Sequence, residues 1–225
     1  MSTILIVPGL HGSGPAHWQT WLEGQVPGCV RVEQSDWSTP QLTRWAGSVR
    51  QQLDRAKGHV WIVAHSFGCL AAAHAAWDYR DRIAGAMFVA PADPEKFEVS
   101  NIIPSEHLGF PSVVVSSTND PWVRLMRAAW LADTWGSRFI NIGAAGHINV
   151  DSGYGPWPEG LLIFEQLRRT QEDLPLGQLG GGGAQQGRRR SNGSNGGNGN
   201  YAKAAIARRA RALKARLHNE YKLAF

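Results

Sequence analysis

Ser66 lies in the run Ala64-His65-Ser66-Phe67-Gly68, preceded by Val60-Trp61-Ile62-Val63 and followed by Cys69-Leu70-Ala71-Ala72-Ala73. A serine between two small residues, with an apolar strand before it and an Ala-rich helix after it, has the setting of a nucleophile elbow. That turn lifts a hydroxyl above the edge of a sheet, and the small neighbours let the backbone fold tightly. Ala64 stands where the motif usually has glycine, a mild departure because alanine is still small. The pentapeptide alone is also compatible with an ordinary serine in a strand–helix turn. A serine hydroxyl is a weak nucleophile without a base, so its partners decide between the two readings.

Two later runs supply candidate partners in the order serine, acid, histidine. Pro111-Ser112-Val113-Val114-Val115-Ser116-Ser117-Thr118-Asn119-Asp120 is a strand pattern ending in an acid. Phe139-Ile140-Asn141-Ile142-Gly143-Ala144-Ala145-Gly146-His147 is a strand pattern, a Gly-rich loop and a histidine. Asp120 would equally serve as the N-cap of a helix beginning at Pro121, and His147 could be a loop histidine satisfied by its neighbours. Their joint occurrence in this order favours an acid–base pair for Ser66. Val7-Pro8-Gly9-Leu10-His11-Gly12-Ser13-Gly14 supplies a third element. Its glycines allow close backbone approach, and the N–H of Leu10, with that of Phe67, would make an oxyanion hole. His11 is the runner-up for the Leu10 place. The loop has neither the Gly-Lys-Ser/Thr ending nor the three-glycine spacing of nucleotide-binding motifs, which disfavours a phosphate site.

The other histidines are rival bases or substrate contacts. His11 and His17, in the first loop, are the serious ones. His65 adjoins Ser66 but is expected to point in a different direction, and His74 is expected to pack within its helix. No metal-ligand spacing is present, so neither a metal nor a cofactor is expected. Trp18, Trp37 and Trp122, with Trp157, could wall an apolar acyl pocket beside His11; core and rim packing is the simpler reading of these tryptophans.

Apolar, β-branched runs at residues 4–7, 30–32, 60–64, 86–90, 112–116 and 139–142 must position these groups. Their continuity predicts strands buried on both faces of a parallel sheet. Helices are predicted at 15–25, 39–56, 67–79, 121–134 and 158–169, with start signals at Ser38-Thr39-Pro40 and Asn119-Asp120-Pro121. The alternation predicts a doubly wound α/β fold with helices on both faces and right-handed crossovers.

The chain of 225 residues, 43% hydrophobic with ten tryptophans, suits a globular domain with an appendage. Its net charge of +5 is unevenly placed. Through residue 187 there are 13 basic and 17 acidic residues, and after it 10 basic and 1 acidic, so the body is acidic and the end strongly basic. Residues 1–172 are read as the folded domain, 173–200 as a Gly/Asn/Ser-rich linker and 201–225 as a basic amphipathic helix or tail. Ile206, Ala210, Leu213, Leu217 and Tyr221 would share one face of that helix. Weak binding to polyanions or anionic lipid is the functional reading of the tail, and a solvated extension is the simpler one. No run is apolar and long enough to span a membrane, and the N-terminus lacks a signal-peptide pattern, so a cytoplasmic location is expected. Cys29 and Cys69 are read as structural thiols.

Pro8-Gly9-Leu10-His11-Gly12-Ser13, His17-Trp18-Gln19, Asp36-Trp37, His65-Ser66-Phe67-Gly68, Asn119-Asp120-Pro121-Trp122 and Gly146-His147-Ile148-Asn149 together resemble a small α/β-hydrolase family. It is the one that includes retinoblastoma-binding protein 9 and bacterial relatives. The resemblance spans roughly residues 3–169. It implies a compact α/β-hydrolase with little or no cap domain, with Ser66 as nucleophile, Asp120 as acid and His147 as base. It supplies no substrate, and retinoblastoma-protein binding is not carried over. The function expected is hydrolysis of an ester, thioester or amide of a small substrate through an acyl-enzyme; the alternative is a non-catalytic binding module on the same fold.

Overall fold

The computed structural model describes residues 2–172. The linker expected at 173–200 and the basic segment at 201–225 lie outside the described residues.

Six strands form one parallel sheet: β1 (Thr3–Val7), β2 (Cys29–Arg31), β3 (Val60–His65), β4 (Ile83–Val89), β5 (Ser112–Ser116) and β6 (Arg138–Asn141). Their order is β2-β1-β3-β4-β5-β6. The chain runs outward from β1 to β2, then crosses back to β3, so the order reverses between β1 and β3. Crevices outside the carboxyl ends of strands at such a reversal are where open α/β sheets bind ligands. The Pro8–Gly14 loop and Ser66 both emerge there.

Alternate strand residues feed two cores. Leu5, Val7, Ile62, Ala64, Phe88 and Val114 face helices α2 (Leu42–Arg55), α3 (Phe67–Ala76) and α4 (Leu125–Trp135). Trp61 and His65 face the opposite way, meeting Phe164 of α5 (Pro158–Glu172) and Trp18 of α1 (Trp18–Gln25). Helices thus cover both faces, as the alternation predicts. Helix α3 is buried all round except at its histidine, and its alanines let it lie close on the sheet. The β4–β5 connection, residues 90–111, is built of turns, so no helical cap is inserted there.

Several boundaries depart from expectation for identifiable reasons. β2 is an edge strand with Val30 39% exposed, not a strand buried on both faces; β6, the other edge, is likewise only partly buried. The first helix begins at Trp18 rather than 15, because Nδ1 of His17 accepts the Gln19 N–H and caps it. α2 starts at Leu42, three residues late: Asp36 Oδ1 accepts from the Ser38 and Thr39 N–H groups and the Trp45 indole donates to Thr39 O, holding the start signal in a loop. α3 stops at Ala76 and passes into a 3₁₀ turn, Trp77–Arg82. α4 begins at Leu125, not 121, since Asp120 closes a separate turn of its own.

Candidate active site

Ser66 joins β3 to α3 with φ 54° and ψ −126°, a left-handed backbone that costs a non-glycine residue on the order of 1–3 kcal/mol. Hydrogen bonds over-determine the turn. The Ser66 N–H donates to Val89 O at 3.0 Å, and its carbonyl accepts from Cys69 and Ala92 N–H at 3.0 and 3.2 Å. The small neighbours are required by space. A Cβ at position 68 would stand 2.3 Å from the Pro8 carbonyl oxygen, and one at position 9 would stand 2.7 Å from Ser66 Cβ. Ala64 is wholly buried where the motif usually has glycine, so its methyl is accommodated.

His147 Nε2 lies 2.9 Å from Ser66 Oγ, and His147 Nδ1 lies 2.8 Å from Asp120 Oδ2. The three residues singled out as nucleophile, acid and base therefore form one continuous hydrogen-bonded line. The helix that Asp120 is expected to cap does not start at Pro121, because α4 begins at Leu125, and the two carboxylate oxygens of Asp120 instead serve a local turn and His147. Oδ1 accepts from the Trp122 and Val123 N–H groups at 2.8 and 3.4 Å, while Oδ2 takes His147. The Asp120 side chain has no exposed surface, and that of His147 is 9% exposed.

Around the Pro8 loop the structure separates the two oxyanion candidates. The His11 N–H donates to Trp37 O at 2.9 Å, so His11 is spent. The Leu10 N–H carries no protein hydrogen bond among the described residues, and the Phe67 N–H, first of α3, has no acceptor in its own helix. The positive end of α3 adds to the preference for negative charge beside Ser66.

Residues to which the sequence assigned no role in the site hold this frame. Ser117 Oγ accepts from Ala145 N–H and donates to Asn119 Oδ1, which also accepts from Gly146 N–H; the acid loop is thereby laced to the histidine loop. Ser152 Oγ accepts the His147 N–H at 3.0 Å. Gln19, fully buried, donates from one amide nitrogen to Val7 O and Val63 O, clamping β1 to β3 at the point of reversal. A polar residue on the inward face of a predicted amphipathic helix was the available signal for Gln19.

The proposed pocket residues fare differently. Trp18 has no exposed surface; its indole donates to Ile148 O at 2.9 Å, so it serves as core and loop support rather than as a pocket wall. Trp37 is half-buried, stacked edge-on to Trp45, with its ring under Gly12. Trp122 is 60% exposed just past Asp120, and His11 is exposed with φ 66°. Trp157 is buried against Trp18. His17, taken from sequence as a rival in the first loop, is buried as the α1 cap, and burial lowers its pKa to about 4, helped by Arg31 and His147. His65 is buried deeper, and desolvation, with His147 and His17 beside it, holds it well below the ordinary histidine value. Among the described residues, no group of three or more His, Cys, Asp or Glu is arranged to hold a metal ion. No described helix is long and apolar enough to cross a membrane.

A parallel β2-β1-β3-β4-β5-β6 sheet with a serine elbow after β3 and a histidine loop after β6 defines an α/β-hydrolase-fold protein. The serine hydrolase family model matches residues 4–166, and the chain belongs to that family. A YdeN-like hydrolase from Pectobacterium atrosepticum is 37% identical, covering 76% of this chain and 92% of that one, with a TM-score of 0.73. The ydeN gene product of B. subtilis is 17% identical, covering 74% and 98%, with a TM-score of 0.63. Est1E from Butyrivibrio proteoclasticus, solved with ferulic acid bound, is 13% identical over 77% and 89%, with a TM-score of 0.60. These last two share the fold. No curated protein matches the chain.

Proposed function

We propose that this hydrolase cleaves a carboxylic ester, or a thioester or amide, of a small substrate through an acyl-enzyme on Ser66. The observation that carries the reading is the unbroken Asp120–His147–Ser66 line, with links of 2.8 and 2.9 Å. His147 Nε2 takes the proton of the Ser66 hydroxyl as Oγ attacks the carbonyl carbon. Asp120 accepts the Nδ1–H, which fixes the tautomer that leaves Nε2 free and stabilises the imidazolium. The oxyanion lies between the Leu10 and Phe67 N–H groups. Collapse of the tetrahedral adduct expels the alcohol, thiol or amine, which receives the proton from His147. Water then attacks the acyl group with His147 again as base, and Ser66 leaves protonated. Each oxyanion donor is worth about 3 kcal/mol of transition-state stabilisation on the precedent of other serine enzymes.

In this reading residues 1–172 contain the whole reaction, in the branch of the family that includes retinoblastoma-binding protein 9. Trp37, Trp122 and His11 border the acyl group, and the protein works in the cytoplasm. Fluorophosphonate labelling tests it: Ser66 is the modified residue, and Ser66→Ala and His147→Ala abolish labelling and p-nitrophenyl ester hydrolysis. A folded protein that takes no label at Ser66 would refute the proposal. A series of p-nitrophenyl esters of increasing chain length then defines the acyl preference.

A further inference from the structure

His65 is the last residue of β3 and adjoins Ser66, and its ring packs edge-on against Trp18 of α1. It packs 5.0 Å from the ring of His17, 6.0 Å from that of Trp18 and 5.0 Å from that of His147. Its Nε2 lies 3.0 Å from the backbone carbonyl oxygen of His147. A carbonyl only accepts, so the proton is on Nε2 and His65 donates. The residue is 5% exposed, and a buried imidazole needs this partner.

We propose that His65 is a positioning residue that fixes the base by holding the main chain from which the His147 imidazole hangs. The inference rests on the reading of Ser66 and His147 as nucleophile and base. The His147–Ile148 segment is pinned at four points, one of them within its own turn, where the Ile148 N–H donates to Ala145 O at 3.1 Å. Ser152 Oγ accepts the His147 N–H, His65 donates to the His147 carbonyl, and Trp18 Nε1 donates to the Ile148 carbonyl. Ile148 itself has φ 50°, a conformation that a β-branched residue keeps only when its surroundings impose it. Asp120 orients the ring at its far nitrogen, but a ring can be oriented only from a fixed Cα. His65 supplies that fixed point from the residue next to the nucleophile, so the spacing of Ser66 and His147 is set across one short chain of contacts. The charged or titratable groups facing His65 are His17 from the start of α1 and His147 itself. His65 stays neutral between them, donating the one proton it carries on Nε2.

The test compares Gln, Asn and Leu at position 65 in the full chain, with Ser66→Ala as reference. The amide nitrogen of Gln can occupy the place of Nε2 and donate to the His147 carbonyl, whereas that of Asn falls short of it. His65→Leu and His65→Asn are expected to lower kcat for p-nitrophenyl acetate by about 10- to 100-fold, the scale of a misplacement of about 1 Å. KM should change little, and the rate of fluorophosphonate labelling per folded molecule should fall in parallel. His65→Gln is expected to restore kcat to within about fivefold of the parent, because it restores the donor. A role in packing alone would lower the melting temperature and leave kcat per folded molecule unchanged. If the Leu variant does not fold, the contrast between Gln and Asn decides. Folded variants with unaltered kcat, or Gln no better than Asn, overturn the inference while Ser66→Ala remains inactive. Activity surviving in Ser66→Ala removes the underlying reading and the inference with it.

Discussion

A Cβ on Gly9 would stand 2.7 Å from the Cβ of Ser66 and 3.3 Å from its Oγ. Glycine at this position is thus a condition on where the serine hydroxyl sits. The neighbour that would have to yield is the short, strained elbow itself, with φ 54° at Ser66. Gly9→Ala is expected to displace Ser66 relative to His147 and lower kcat/KM by about 100-fold, since misplacements near 1 Å have that scale. Circular dichroism should show a folded protein. Wild-type activity in Gly9→Ala would mean that the Pro8 loop moves freely away from the elbow.

Asp120 separates two functions on its two oxygens, so two substitutions separate them experimentally. Asp120→Asn can keep an oxygen on the Trp122 and Val123 N–H groups and so keeps the turn. It presents an N–H to His147 Nδ1, however, which favours the wrong tautomer. Ester hydrolysis should fall by about 10⁴-fold, by precedent from serine proteases, with little change in melting temperature. Asp120→Ala should lose the same activity and also about 1 kcal/mol of stability, the scale of a lost side-chain cap. Steady-state kinetics and thermal melts of the two variants check both parts.

The parts legible in sequence are those with a one-dimensional signature. β3 and β5 are continuous apolar runs because both faces are buried, and the residues after β3, β5 and β6 are the three that meet. Edge strands are not legible in this way: Val30 has the composition of a buried residue but is half-open to solvent at the rim of the sheet. Helix starts shifted where a competing side-chain bond a few residues away outweighed the start signal, as with the Trp45 indole on Thr39 O. The fate of Trp18 and His65 was also hidden, because both reach the 147–148 backbone more than 80 residues away in the chain, a pairing that no local pattern encodes. The resolution between Leu10 and His11 likewise required knowing that Trp37 O lies opposite His11.

The basic residues after residue 187 lie outside the described residues. Every residue in the hydrogen-bonded line, and every residue found bracing it, falls between Val7 and Ser152. Deleting residues 175–225 is therefore expected to leave kcat/KM for p-nitrophenyl esters within about twofold. It should remove whatever affinity the chain has for polyanions, which follows clustered Lys and Arg. Parallel measurements of ester hydrolysis and heparin retention distinguish the two; a collapse of hydrolysis would place part of the catalytic unit after residue 174.

Stability should fall with acid for a reason located at His17. Its folded pKa is about 4, lowered chiefly by burial, against 6.5 when unfolded. Above pH 6.5 both states carry the neutral ring and the site contributes no pH dependence. Between pH 6.5 and about 4 the unfolded chain binds a proton that the folded protein refuses, so folding stability declines as pH falls through this window. The depression corresponds to roughly 3 kcal/mol in total. His65, lowered in the same direction, adds to the decline. His17→Asn keeps a side-chain oxygen to accept the Gln19 N–H and cap α1, but has no titrating group. Urea unfolding at pH 7 and pH 4.5 should therefore show a smaller loss of stability in His17→Asn than in the parent. Equal losses would mean that His17 is protonated in the folded protein at pH 4.5, with its Nδ1 no longer available as the cap of α1.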